Sequence, residues 1–233
     1  MIGGYLERVF RESEVENREA IMRLVEGRGL SRLLDLGCYD GEFTEQLAGR
    51  AGASEVAGVE FLEEHASRAR ARGIDVRPAD LNGPLPFPDG AFDLVHANQV
   101  IEHLKATDVF LSEIRRLLAP GALAVVSTNN LASWHNIASL VLGYQPFPAH
   151  VSDEVIVGNP LSPFDGTRHA DAGQTHLRLF TARSLAALAE HHGLRTETMG
   201  TSGYYPLPPS AARAVSRVDP RHAAFLIGVF RPA

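Results

Sequence analysis

The residues of this chain best suited to chemistry are three carboxylates and a pair of glycines, set at the ends of short apolar runs. Asp35 closes the run Leu33, Leu34, Leu36, and Gly37 and Gly41 follow it before Phe43, Leu47 and Ala48 open an amphipathic repeat. So short an apolar run reads as a central parallel strand, which puts Asp35 near the strand's C-terminal end, where open α/β sheets bind ligands. The two glycines let the backbone turn tightly and approach a ligand closely. A second apolar segment, EVAGVEF, reaches Glu60, where a carboxylate accepts both hydroxyls of a ribose, and Phe61 beside it offers an apolar face to an adenine. Asp80-Leu81-Asn82 follows a short strand, Ile74 to Arg77, and an aspartate there accepts a hydrogen bond from an exocyclic amine. Together these residues are suited to holding a nucleoside-bearing cofactor.

Each acid also has an ordinary structural use. Asp35 serves as a helix cap, Glu60 as a solvated strand-end charge, and Asp80 as the cap of a turn with Asn82-Gly83. Taken singly, the two uses are evenly matched, whereas three acids at successive strand ends on one sheet edge favour a ligand. A dinucleotide is disfavoured as that ligand. The G-x-G-x-x-G spacing is absent, since the next glycine after Gly37 is Gly41, and Asp35 would face a pyrophosphate with like charge. A zwitterionic amino-acid tail carries an ammonium that suits Asp35.

Further along runs PLPFPDGAFDLVHANQVIEHL, Pro84 to Leu104. With it the chain resembles the class I methyltransferases that use S-adenosylmethionine, and among them the small-molecule, type 11-like group with a PFPDGxFDLV…EHL segment. The likeness is good from Leu33 to Val126 and looser beyond. It implies an α/β fold, a Rossmann-like doubly wound seven-stranded sheet with an antiparallel last strand, and S-adenosylmethionine as cofactor. Residue by residue it places Asp35, Gly37, Cys38 and Gly41 at the methionine end, Glu60 at the ribose, Phe61, Asp80 and Leu81 at the adenine, and Asn98 beneath the sulfonium. The family commonly has another glycine where this chain has Tyr39. A tyrosine resists positive φ, so a differently shaped loop is expected.

Methyl transfer requires a nucleophile aligned about 3 Å from the methyl carbon and, for a hydroxyl acceptor, a proton acceptor. His103, after the fourth strand, is the leading base, with packing beneath the cofactor as its ordinary use. His150, His169 and His176 are alternative bases reaching from a later insert. Some methyltransferases of quinone precursors and of RNA ends carry Glu-x-x-Glu-His here and hold a divalent cation. This chain reads Gln99-x-x-Glu102-His103, and an amide in place of a carboxylate weakens a hard-cation site. No tightly bound metal is expected, although His150 or His176 could complete a weaker site. The expected acceptor is a small molecule methylated on oxygen or nitrogen. A nicotinamide oxidoreductase and a non-catalytic cofactor-binding module are the other classes considered.

The supporting elements follow from period and punctuation. The 233 residues, 45% hydrophobic, suit one α/β domain over 1–233. Helical spacing over Tyr5–Phe10 and Val15–Val25 predicts cap helices within 1–28 that cover the cofactor's open side. Strands are expected over Phe92–Ala97, Ala122–Thr128, Glu197–Tyr204 and Ala223–Arg231, with helices over Thr107–Leu118 and Thr181–His192. The stretch 129–179 is too long for an ordinary connection and is expected to form a substrate lid. Trp134, Tyr144, Phe147 and Phe164 would wall it, and His150, His169, His176 and Arg178 would orient the acceptor. A net charge of −6, from 22 Lys and Arg against 28 Asp and Glu, disfavours nucleic acid as a partner. One cysteine, no basic-then-apolar leader and no spanning apolar run predict a cytoplasmic protein with no membrane partner.

Overall fold

A computed structural model describes residues 2–169 and 175–233. A helix, α1 (Ile2–Val25), precedes the first strand, β1 (Arg32–Leu36), whose last four residues are buried because both faces of the sheet are covered. The glycine turn leads into α2 (Glu42–Ala51), and β2 (Glu55–Val59), α3 (Glu63–Ala71) and β3 (Asp75–Arg77) complete the first half. The second half contains β4 (Phe92–Asn98), α4 (Thr107–Leu117), β5 (Leu118–Asn129), α5 (Trp134–Val141), α6 (Ala182–His191), β6 (Leu194–Ser202), α7 (Pro209–Val218) and β7 (Phe225–Pro232).

The seven strands stand in the order β3-β2-β1-β4-β5-β7-β6, with β7 antiparallel to both neighbours and the ladders from β3 to β5 parallel. Chain direction across the sheet reverses between β1 and β4. That gap is the switch point at which such sheets open a crevice at their C-terminal ends. Strand alternation divides the core: Leu34 and Val95 join Phe110, Ile114 and Phe230 on one face, while Leu33 and Leu94 join Ile21, Val25 and Leu47 on the other.

The two expected N-terminal helices are one. Nothing between Phe10 and Val15 breaks a helix, and the Ser13 hydroxyl donates to the Val9 carbonyl, 3.0 Å away, within the same helix. In the expected lid, Trp134–Val141 is helical, and α7 was not anticipated. The sixth strand starts earlier than its pattern suggested, at Leu194, directly after Gly193 ends the turn that follows α6.

Gly41, expected at the methionine end, has a packing role as well. It opens α2 at φ 77°, and a Cβ there would lie 2.6 Å from Ile74 Cδ1 and 2.9 Å from Ala69 Cβ. Left-handed strain and overpacking coincide at this position. Gly41→Ala should therefore lower unfolding free energy on the order of 2–4 kcal/mol. Urea denaturation followed by circular dichroism measures this, and an unchanged midpoint would show that the turn relaxes freely.

Candidate cofactor and acceptor site

A cavity of about 610 Å³ opens at the C-terminal ends of β1, β2 and β4, with Gly37, Glu60, Leu81, Asn98 and His103 in its wall. A smaller one of about 190 Å³, lined by Asp35, Cys38 and His96, adjoins it, and Arg18, Gly37, Tyr39 and Asn98 line both. Seven of the expected residues thus converge: Asp35, Gly37, Cys38, Glu60, Leu81, Asn98 and His103.

Glu60 is fixed at the rim by two backbone donors, Tyr39 N to Oε2 at 3.0 Å and Leu62 N to Oε1 at 2.9 Å. Each oxygen keeps a lone pair for a ligand hydroxyl. Tyr39 does not resist the left-handed region as expected: its φ is 50°. Its N–H on Glu60 and its ring against that of His65, 3.8 Å between centroids, offset the strain. Gly37 also has positive φ, 81°, and a Cβ there would lie 2.7 Å from Val100 Cγ2.

Deeper in, Asp35 is 3% exposed; its Oδ2 accepts from the Thr44 hydroxyl at 2.5 Å and its Oδ1 lies 2.7 Å from His96 Nδ1. The neighbouring Cys38 thiol is pushed up to about 12 by burial, with Asp35 and Glu60 adding to the effect, and it stays protonated. Asn98 Oδ1 accepts from Asn17 Nδ2 at 2.9 Å, which ties the top of β4 to α1.

Other expected residues stand elsewhere. Phe61 is 74% exposed, because the strand's alternation ends at Val59 and the chain turns outward; Leu62 lines the cavity in its place. Asp80 takes its turn-forming use, accepting from Asn82 N and Asn82 Nδ2, both at 2.9 Å, and it is absent from the cavity wall. His150 and His176 stack on one another at 4.3 Å, with His176 edge-on to His103 at 4.8 Å. Burial lowers their pKa values to about 4 and about 3, so both are neutral at pH 7, and neither lines the cavity.

Among the described residues, the cavity wall takes none from 129–179. Trp134 packs on His222 at 4.6 Å and donates to Asp219 at 2.6 Å, Phe147 meets Tyr205, and Phe164 meets Phe10. Tyr144 is exposed. The insert touches the site from behind, where Leu177 N and Arg178 N donate to the Glu102 carbonyl at 2.7 and 3.0 Å and His103 Nδ1 lies 3.2 Å from the Thr175 carbonyl. The Glu102 carboxylate is held by Thr128 Oγ1 at 2.8 Å and Asn129 Nδ2 at 3.3 Å, and burial pushes its pKa up to about 7. Glu102, His103 and His176 each bring one potential ligand atom within 4.8 Å of the others.

The wall residues that had gone unrecognised in the sequence include Glu14, Asn17, Arg18 and His96. The first three share one helix face by their spacing, and His96 is the polar residue of the buried run 94–97 within β4.

Residues 5–198 match the family described as a methyltransferase domain. The chain belongs to that family. It is an S-adenosylmethionine-dependent methyltransferase, and S-adenosylmethionine is its cofactor. The chain is 28% identical over 207 residues to a trans-aconitate 2-methyltransferase of Methylobacterium nodulans, covering 87% of this chain and 80% of that one. With a ubiquinone biosynthesis O-methyltransferase of a Caulobacter species it shares 37% identity over 105 residues, 42% of this chain and 41% of the relative, so that likeness spans less than half of either. A solved S-adenosylmethionine dependent methyltransferase from Mesorhizobium loti shares the fold, with a TM-score of 0.60 at 21% identity over 90% of this chain and 95% of that one.

The methyltransferase cavity suits this cofactor. Its volume falls within the roughly 300–1,000 Å³ usual for small-molecule sites, with the Glu60 carboxylate at the rim, and the adjoining smaller cavity has an unpartnered buried imidazole nitrogen, His96 Nε2, in its wall. Glu60→Ala should weaken binding of S-adenosylhomocysteine by about 1–3 kcal/mol in calorimetry. The unmodified enzyme should show no comparable affinity for NAD, and an unchanged dissociation constant in a folded Glu60→Ala protein would remove Glu60 from the site.

Proposed function

We propose that this methyltransferase methylates an oxygen or nitrogen of a small molecule that enters beside His103, and that His103 accepts the proton released. The observation that carries the reading is that, of the four histidines suited to this role, His103 alone lines the cavity. Bound S-adenosylmethionine supplies an electrophilic methyl carbon; the chain aligns the acceptor and takes up its proton. The Thr175 carbonyl near Nδ1 favours the tautomer with its proton on that nitrogen. His176 and His150 stand behind His103 as a neutral aromatic support. The O-methyltransferase among the relatives favours oxygen over nitrogen.

Acceptor contacts fall to Glu14 and Asn17 of α1 and Phe225 of β7, which line the cavity. The insert, read from the sequence as a lid, acts through the groups it places behind His103. The net charge of −6 supports exclusion of nucleic acid as substrate. No helix among the described residues is long and apolar enough to cross a membrane, and we infer a cytoplasmic location from that together with the single buried Cys38.

A second reading rests on the proximity of Glu102, His103 and His176, which could share a divalent cation. The proton-transfer reading is preferred because Glu102 is already engaged by Thr128 and Asn129, and Gln99 stands where an anionic ligand would be needed.

His103→Ala should lower turnover by about 10²–10⁴-fold while leaving the dissociation constant for S-adenosylhomocysteine within about twofold. Activity should persist in EDTA. Loss on chelation with recovery on adding a divalent ion would transfer the role to the cation, and unchanged turnover in the mutant would show that no base is needed there. Trp134→Ala should leave the acceptor KM unaltered; a raised KM would restore the insert as an acceptor wall.

A further inference from the structure

We propose that His96, oriented by Asp35, holds the α-ammonium of the cofactor's methionine end through Nε2, a task that the family likeness had given to Asp35 itself. The proposal rests on the cofactor reading above. Asp35 is 3% exposed and already accepts one bond at each oxygen, Oδ2 from the Thr44 hydroxyl at 2.5 Å and Oδ1 at His96 Nδ1, 2.7 Å away. A carboxylate accepts only, so a neutral imidazole in this contact carries its proton on Nδ1 and presents a bare lone pair at Nε2. His96 is 1% exposed, and its Nε2 has no hydrogen-bond partner. Buried polar atoms are normally satisfied, and an orphan in a cavity wall is explained when a ligand supplies the missing donor.

His96 lines the smaller cavity, next to that of Glu60. The charged groups facing the space are Asp35 from β1, Asp40 and Glu42 from the turn and start of α2, and Arg18 from α1. Arg18 lies over the Phe43 ring at 5.4 Å, and the same ring meets His96 edge-on at 5.5 Å. The wall is thus acidic around the imidazole and carries a guanidinium on α1. A zwitterionic amino acid matches it, with ammonium toward His96 and carboxylate toward Arg18. The strand position that bears His96 faces the interior and would accept an aliphatic residue for packing alone, so a histidine there needs a polar reason.

The test compares two probes by calorimetry: S-adenosylhomocysteine, which has the amino-acid end, and 5′-methylthioadenosine, which lacks it. His96→Leu should weaken the first by about 10–100-fold and the second by less than about twofold. His96→Gln, which keeps an acceptor oxygen, should recover part of the loss. On the unaltered protein, ¹⁵N NMR of the histidines should show the His96 Nε2 resonance move when S-adenosylhomocysteine binds and stay in place with 5′-methylthioadenosine. Equal weakening of both probes, no weakening of either, or an Nε2 signal indifferent to the amino-acid end would each overturn the proposal. If the unaltered protein binds neither probe, the cofactor reading itself fails.

Discussion

A carboxylate withdrawn from water at the end of a central strand must be met by donors, and the site is arranged around that demand. Asp35 is satisfied by Thr44 from α2 and by His96 from β4. Those two bonds fasten the helix after the glycine turn and the strand across the switch point to β1. An aliphatic residue at this position would pack, but it would leave Thr44 and His96 unpaired and the turn without its anchor. The buried pair therefore fixes the geometry that the glycines only permit.

The same economy appears at the rim. Tyr39 and Gln99, both non-glycine residues with positive φ, flank the cavity at the ends of β1 and β4. Strain at such positions persists only where the surroundings fix it. For Tyr39 the surroundings are Glu60 and His65; for Gln99 they are the Ser127 carbonyl, which accepts its N–H at 2.9 Å, and the Ser127 hydroxyl. Glu60 thus shapes the loop that approaches the ligand as well as the place where a ribose is expected.

Much of this was legible in the chain because strand ends and glycine turns are local features. The run around Asp35 and the acid at Glu60 could be placed by period alone, whereas Asn98 came from the family likeness. Phe61 and Asp80 stand outside the cavity wall for local reasons: the first follows the end of β2 at Val59, where the chain turns outward, and the second satisfies its own turn. The insert was harder. Nothing in 129–179 shows that Trp134 will settle on His222 or Phe164 on Phe10, since those partners lie far away in sequence. His96 is the polar residue of the buried run 94–97, but its meaning depends on Asp35 standing beside it across the ladder.

Asn17 gives the site a temporal dimension. Its amide bonds Asn98 and Ser127, and its carbonyl oxygen accepts from Ser127 and from Ser202 at the end of β6. The helix that walls the cavity is therefore latched to a strand synthesised long after it, and Phe225 of β7 contributes a further wall. A nascent chain that has completed β1, the glycine turn and Glu60 holds the recognition residues without an enclosed chamber. The enclosed chamber thus forms only after β6 and β7 have joined α1, and a ligand held in it stabilises that joined state.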